Sequence, residues 1–526
     1  MASRIYFFAF AFLLSYTTLI CGTFNISDFG AVGDGKTLNT NAIQHAIDKC
    51  RDSGGGTVLI PTGIFISGTI QLYSNINLHL ESGAVLKGSS RASDYYLHEG
   101  SDSLKKIRLG LIFTENSANV FITGEGNIDG NGDLFMDQNH SKVFDTLSTR
   151  FTRQKKHFRE VPLGLGDGPL LPLDRPFQMI IFSNCRNITV KDVLISNSPF
   201  WTLHIADCDG VIVTDIKLWN SLMIPNNDGI DVTSSSNVLI SNCDIRCGDD
   251  AIAITGYAYH FDLPGYKNIK HDSENITVDN CYLESRSSAI RIGGWDQNEM
   301  RNYSFSNIVI ANSNRGINLC VRDKAGMSDL SFSNIIIKTH LHTGDWWGNG
   351  EPIHISAILG KENVSLGKIR NIKFSHITAE GESGILIFGS KESIIENISF
   401  SDISFTLKES LKNNIAGGNF DLRPAIDPSL TMFSHDIPGF YAGYVNHIRI
   451  DNFEFKWENI SEEYFTNAME FSNFKDVHIN SFSGDPAPNC KNPASISLRN
   501  GIGYRIINSF PINKNLRLLR KENVID

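Results

Sequence analysis

The chain has 526 residues, and 57 acidic against 47 basic side chains give a formal net charge of −10. That balance, with no long Lys/Arg run, excludes a nucleic-acid partner. It also disfavours a strongly anionic polymer, unless basic residues gathered in a groove outweigh the global charge. So long a chain ordinarily means several domains, but a solenoid grows by adding coils and escapes the limit on a single core. We therefore expect an export signal over residues 1–22 and one domain over 23–526 with an irregular C-terminal end.

Arg4 supplies a charged start, Ile5 to Leu14 an apolar core, and small residues up to Gly22 a cleavage region, the pattern of a secreted protein. Ser15 to Thr18 interrupt the apolar run short of the ~20 residues a membrane span needs, and no later segment could span. Neither a membrane partner nor an obligate oligomer is expected, so the predicted state is a secreted monomer. Of nine cysteines, all but Cys21 follow the signal, and an even number in an oxidising compartment permits disulfides whose pairing the sequence leaves open. Cys243 and Cys247 lack partners at zinc spacing, so no metal is expected. Asn-x-Ser/Thr sites at Asn25, Asn139, Asn187, Asn275, Asn302, Asn363, Asn397 and Asn459 fit a glycoprotein, although some of these Asn belong to structural bends.

After Phe24-Asn-Ile-Ser-Asp-Phe-Gly-Ala-Val-Gly-Asp-Gly-Lys-Thr37, the stretch Asn41-Ala-Ile-Gln-His-Ala-Ile47 predicts a short amphipathic helix that closes the open end of a solenoid. Gly54-Gly-Gly-Thr-Val-Leu-Ile-Pro61 reads as the first strand entering it. Asp133 to Pro172, with Arg153, Lys155 and Lys156, reads as a long loop flanking a groove.

A repeat follows, of the form Asn-apolar-x-apolar-x-(Asn/Asp)-x-x-apolar. It starts at Asn187, Gly210, Asn237 and Asn275, and again at Asn302, Asp329, Asn371, Asn397 and, more weakly, His447. Asn187 to Gly210 spans 23 residues and Gly210 to Asn237 spans 27, which is one coil of a parallel β-helix stretched by loops. Period-two alternation places Ile and Val inside the coil and polar residues outside. The recurring Asn suits the bends, where it tolerates left-handed backbone and stacks in ladders.

Asn226-Asn227-Asp228 and Gly248-Asp249-Asp250 bring three carboxylates into this repeat. Asp228 and Asp249 are 21 residues apart, hence on adjacent rungs roughly 4.8 Å apart. Inverting glycosidases need an acid and a base about 6.5–9.5 Å apart, a spacing that neighbouring rungs can supply.

The opening at Phe24, together with Pro225-Asn-Asn-Asp-Gly-Ile-Asp231 and Cys247-Gly-Asp-Asp-Ala-Ile-Ala-Ile254, resembles glycoside hydrolase family 28, the polygalacturonase and rhamnogalacturonase group, over most of residues 24–480. The resemblance implies an all-β fold, a single-stranded right-handed parallel β-helix with a short N-terminal capping helix, acting without a cofactor on polysaccharide or oligosaccharide. It implies Asp249 as general acid, with Asp228 and Asp250 holding the attacking water and Asn226 beside them at the substrate.

Two departures stand out. Ser288 occupies the position of the family's Gly-His-Gly histidine, and Asn318 and Cys320 occupy those of its Arg-Ile-Lys cations, so a bidentate grip on a substrate carboxylate is missing. Phasing points Arg291, Asn318, Cys320 and Arg322 at the groove, where Arg291 and Arg322 are candidates to rebuild an anion clamp. The same phasing sends His204 and His354 to the groove. Trp295, and Trp346 in the Gly-rich Gly344-Asp-Trp-Trp-Gly-Asn-Gly, are candidates for stacking on sugar rings.

Three functions fit: an inverting pectinase-type glycosidase, on pectin or on a neutral glycan or small glycoside; an inert glycan-binding β-helix protein; and a lyase in which the acidic trio holds calcium. The second gives no reason to keep the three carboxylates together.

Overall fold

The computed structural model describes residues 22–99, 106–141, 168–258, 269–342, 346–412, 420–427, 432–433 and 435–526. The export signal and most of the loop expected between Asp133 and Pro172, with Arg153, Lys155 and Lys156, lie outside these residues.

The chain forms a parallel β-helix in which each coil lays its strands in register on the coil before. Helix α1, Thr40–Asp52, turns Ile43, Ala46, Ile47 and Cys50 onto the first coil, covering the apolar end between strands Gly22–Asn25 and Gly56–Ile60. The side chain of Asn39 leaves the helix N-terminus uncapped and instead binds back to Val32 and Thr37, fixing the approach to α1. At the other end the coil continues to Leu519–Ile525, paired on Ile496–Ile507.

Six consecutive rungs build the face that matters for function: β1 (Leu203–Ala206), β2 (Ile230–Thr233), β3 (Ile252–Thr255), β4 (Ser288–Gly294), β5 (Arg315–Val321) and β6 (Ile353–Ala357). Leu203, Ile230, Ile252, Ile290, Ile317 and Ile353 stack as one buried column inside the coil. The next residue of each strand points outward, giving the column His204, Asp231, Ala253, Arg291, Asn318 and His354.

The bends follow the expected Asn logic. Asn237, Asn275, Asn302, Asn371 and Asn397 all adopt left-handed backbone, with φ of 55, 59, 62, 59 and 57°. Their amides bond from coil to coil, Asn275 to Asn237 at 3.2 Å and Asn397 to Asn371 at 3.1 Å. The expected disulfides are absent among the described residues, where all eight cysteines are thiols. Cys185, Cys208, Cys243, Cys247 and Cys281 belong to the apolar core and act there as small hydrophobes.

Inside the later coils Phe305, Phe332, Phe374 and Phe400 stack face to face with centroids 4.8, 5.0 and 4.8 Å apart, the spacing of the rungs themselves. Phe332→Ala removes a middle ring that is fully buried and flanked by rings on both sides. It is expected to cost about 3–5 kcal/mol, read as a lower denaturant midpoint with an unchanged far-UV spectrum.

Candidate active site

The three carboxylates lie in the bends that lead into β2 and β3. Ile230 pairs with Ile252, an offset of 22 residues, and the Gly229 amide donates to the Asp250 carbonyl at 2.9 Å. The register therefore sets Asp228 level with Asp250, whereas the sequence spacing had pointed to Asp249. Asn227 joins the two bends: its Oδ1 accepts from the Gly248 amide at 2.7 Å and the Asp249 amide at 3.3 Å, and its Nδ2 donates to Ser221 O. Gly248 is required for this approach, because a Cβ there would stand 2.5 Å from Ile224 O and 2.7 Å from Asn227 Oδ1.

Asn226, left-handed at φ 56°, is held from the other side by Arg175, which donates to Pro199 O, Pro225 O and Asn226 Oδ1 and lies 4.8 Å over the Phe200 ring. Nothing in the sequence marks Arg175 for this position, and the motif that contains Asn227 does not reveal its bridging role. Asp250 Oδ1 accepts from the Ser288 amide at 2.9 Å. Asp228, 3% exposed, has an Oδ1 with no hydrogen-bond partner among the described residues. One oxygen from each of Asp228, Asp249 and Asp250 lies within 4.8 Å of the others, closer than the pair spacing expected from the sequence.

Crowded and desolvated carboxylates resist ionisation. Burial first, then the Asp249 carboxylate, hold Asp228 well above the usual carboxylate range. A fourth acid, Asp231, is raised likewise by burial and by Asp250. Arg291 opposes both shifts. Its guanidinium donates to the Tyr257 hydroxyl at 3.0 Å and approaches Asp250 Oδ2 at 3.7 Å, so it is engaged with the acid cluster.

The pocket over these groups is walled by Trp201, Trp295 and Trp347, each partly exposed, and floored by Ser288, Arg291 and Asn318. The Trp295 loop is fixed by Asp296, which accepts from the Gly256 amide at 2.6 Å, and by Gln297, which bonds Ala258 and Asp323. Arg315, Arg423 and Pro424 complete the rim. Arg423 reaches it from a segment some hundred residues downstream, bound to Asp421 through two bonds of 2.9 and 2.7 Å and stacked 5.0 Å over Trp347.

Of the eleven site residues expected from the sequence, seven line this pocket: Asn226, Asp228, Asp249, Asp250, Arg291, Trp295 and Asn318. Four do not. His204 is fully buried behind Trp201, its Nε2 3.0 Å from Thr233 Oγ1, and burial pushes its pKa down to about 3, leaving a neutral ring. His354 is fully buried with Nε2 2.9 Å from Ser356 Oγ. Arg322 is also fully buried and donates to Pro424 O, Leu422 O and Ser356, anchoring the segment that brings Arg423 to the rim. Trp346 is 2% exposed, with Gly168 packed so tightly on its ring that a Cβ would meet it at 2.4 Å, and its neighbour Trp347 is the ring that faces the pocket. Phasing gave the correct face for His204, Arg322 and His354, but other groups cover that face.

A carboxyl raised in the folded protein keeps a proton that the unfolded chain has released, so its contribution to stability falls as pH rises from about 4 toward the raised value. Asp228→Asn removes that penalty and is expected to melt a few degrees higher than wild type at about pH 7. The advantage should vanish at about pH 3.5, where Asp228 is protonated in both states, as differential scanning calorimetry across pH would show.

Residues 174–418 match the model of glycosyl hydrolases family 28, and residues 23–141 match that of rhamnogalacturonase A/epimerase, pectate lyase-like proteins. A Vitis vinifera protein named "Probable polygalacturonase" is 28% identical over 323 residues, covering 58% of this chain and 59% of the relative, so the match spans about three fifths of that relative's length. Two solved structures share the fold: a Thermotoga maritima exopolygalacturonase (TM-score 0.56, 24% identity, 73% of this chain and 87% of that one), and a Yersinia enterocolitica family 28 exopolygalacturonase (TM-score 0.60, 18% identity, 88% and 78%). With its acidic trio on adjoining rungs of such a β-helix, the chain is similar to glycosyl hydrolases family 28 over residues 174–418.

Proposed function

We propose that this protein is an inverting glycosidase of pectin-type cell-wall polysaccharide or its oligosaccharides, acting outside the cell. The observation that carries the reading is the buried trio Asp228, Asp249 and Asp250, with oxygens within 4.8 Å of one another at the base of an aromatic-walled pocket. A purely glycan-binding protein has no use for so costly a cluster. The polygalacturonase name of the Vitis vinifera relative points to the same chemistry.

The 4.8 Å spacing bears on mechanism. Two carboxylate oxygens at that distance can both accept from one water at about 2.8 Å. Asp228 and Asp250, level on adjacent rungs and with oxygens no more than 4.8 Å apart, are the pair we assign to that water, and Asp228 Oδ1 has no hydrogen-bond partner among the described residues. Asp249 then delivers the proton to the leaving oxygen. Burial and mutual repulsion keep a proton on the trio at mildly acidic pH, and this is the proton that general-acid catalysis consumes. Arg291, held by the Tyr257 hydroxyl, opposes the uptake of further protons by the cluster.

Asp249→Asn is expected to keep the fold and to lower kcat by about 10²–10⁴, as loss of general-acid catalysis. Near-wild-type turnover would remove Asp249 from that role. The first anomer released, followed by NMR during early turnover, should be inverted relative to the substrate, and retention would reassign one of the close carboxylates as a nucleophile. EDTA should leave the rate unchanged, whereas a lyase holding calcium on the trio would lose activity and yield unsaturated products absorbing in the ultraviolet.

A further inference from the structure

We propose, building on the glycosidase reading, that the ring bound against the acidic trio is uncharged: a neutral sugar or an esterified uronate, and not a free uronate.

Three observations lead there. The first is the disposition of positive charge. Among the described residues the cations lining the pocket are Arg291, Arg315 and Arg423, and each already faces an acid. Arg291 lies 3.7 Å from Asp250, Arg315 lies 3.6 Å from Glu351, and Arg423 makes its two-bond pair with Asp421. Glu351 and Asp421 neutralise two of the three, which leaves Arg291 alone to face Asp249 and Asp250 beside the proton-holding Asp228. A ligand carboxylate would enter a pocket whose formal charge is already negative, in a desolvated setting where like charges repel strongly.

The second is the chemistry left open at Ser288 and Asn318, two of the three positions where the family histidine and cations are absent. Asn318 is 7% exposed and Ser288 1% exposed, and both line the pocket. Asn318 Oδ1 and Ser288 Oγ are buried without a hydrogen-bond partner. An amide oxygen needs a donor opposite it, which a sugar hydroxyl offers and a carboxylate cannot. Leaving these atoms unsatisfied costs free energy; Ser288 Oγ can donate or accept, so it is Asn318 Oδ1 that favours a ligand hydroxyl over a carboxylate oxygen set against it.

The third is the walls. Trp201, Trp295 and Trp347 line the pocket, and aromatic rings in such a wall can hold the C–H side of a pyranose whatever its charge. Stacking thus supplies affinity that the missing Arg and Lys would otherwise contribute.

The test uses three ligands of one stereochemistry that differ only at C6: α-1,4-trigalacturonic acid, its methyl ester and α-1,4-galactotriose. Titration calorimetry on Asp249→Asn protein, which binds without turnover, is expected to show the ester or galactotriose bound at least about tenfold more tightly than the acid, with the acid's affinity rising as salt screens repulsion. The relative strength of the two uncharged ligands separates an esterified uronate from a neutral sugar. Equal or tighter binding of the acid overturns the proposal, and so does binding of none of the three. The double variant Asn318→Arg, Cys320→Lys, which places a cation pair where the family carries one, is expected to gain at least about tenfold in affinity for the acid, and no gain would also count against the proposal. Product formation by wild-type protein is read separately. The expected binding order with no product from any glycoside would remove the hydrolase reading and leave the charge assignment standing.

Discussion

In-register stacking of rungs is the constraint on which the rest of this molecule depends. When each strand lies on its predecessor at roughly 4.8 Å, every residue meets its counterpart of the coil before and the coil after. Where the counterparts are apolar this is favourable without adjustment, as in the Ile column through β1 to β6 and the four-ring Phe stack. Where they are Asn, amides hydrogen-bond along the axis and the bends repeat. Where they are Asp the same geometry forces like charges together, and Asp228 is held level with Asp250 because Ile230 is held level with Ile252.

That enforced proximity holds protons on carboxylates that would otherwise release them. Isolated in solvent, the carboxylates would all be ionised. Stacked and buried, Asp228 and Asp231 stay protonated well past the usual range. The relief is limited and local. Ala253, standing in the outward column between Asp231 and Arg291, is small, which leaves room for the Arg291 side chain to lean back toward Asp250 on the preceding rung. Tyr257 fixes the far side of the guanidinium. A bulkier residue at 253 would oppose that contact.

The legible parts of the fold and site were those in which a residue's neighbours are set by the repeat. The bend Asn, the inward Ile and Val, helix α1 and the three Asp all follow from local pattern plus stacking. Period-two phasing also assigned the correct face to Arg291, Asn318, His204, His354 and Arg322. It could not tell which outward side chains stay open, because that depends on segments distant in sequence. Trp201 covers His204, and residues 420–424, tied down by Arg315 and Arg322, lie over the neighbouring stretch of sheet. The roles of Arg175, Asn227, Tyr257 and Arg423 were missed for the related reason that each acts through individual hydrogen bonds or ion pairs that leave no periodic trace.

The rim and the base of the pocket obey different physics. At the base, the carboxylates are held by backbone register and by Asn227, and substitution elsewhere leaves them in place. At the rim, position depends on buried ion pairs, Arg315 with Glu351 and Arg423 with Asp421, whose desolvation roughly offsets their attraction. Such pairs are poor sources of stability but strict in geometry, since a two-bond guanidinium–carboxylate contact tolerates little rotation. They fix Trp347 and the 420–424 segment relative to rungs that neither adjoins in sequence. Recognition is therefore built from parts that can be exchanged one loop at a time while the stacked bends keep their chemistry. That separation is how a chain with the family's acidic trio intact can lack the family's cations.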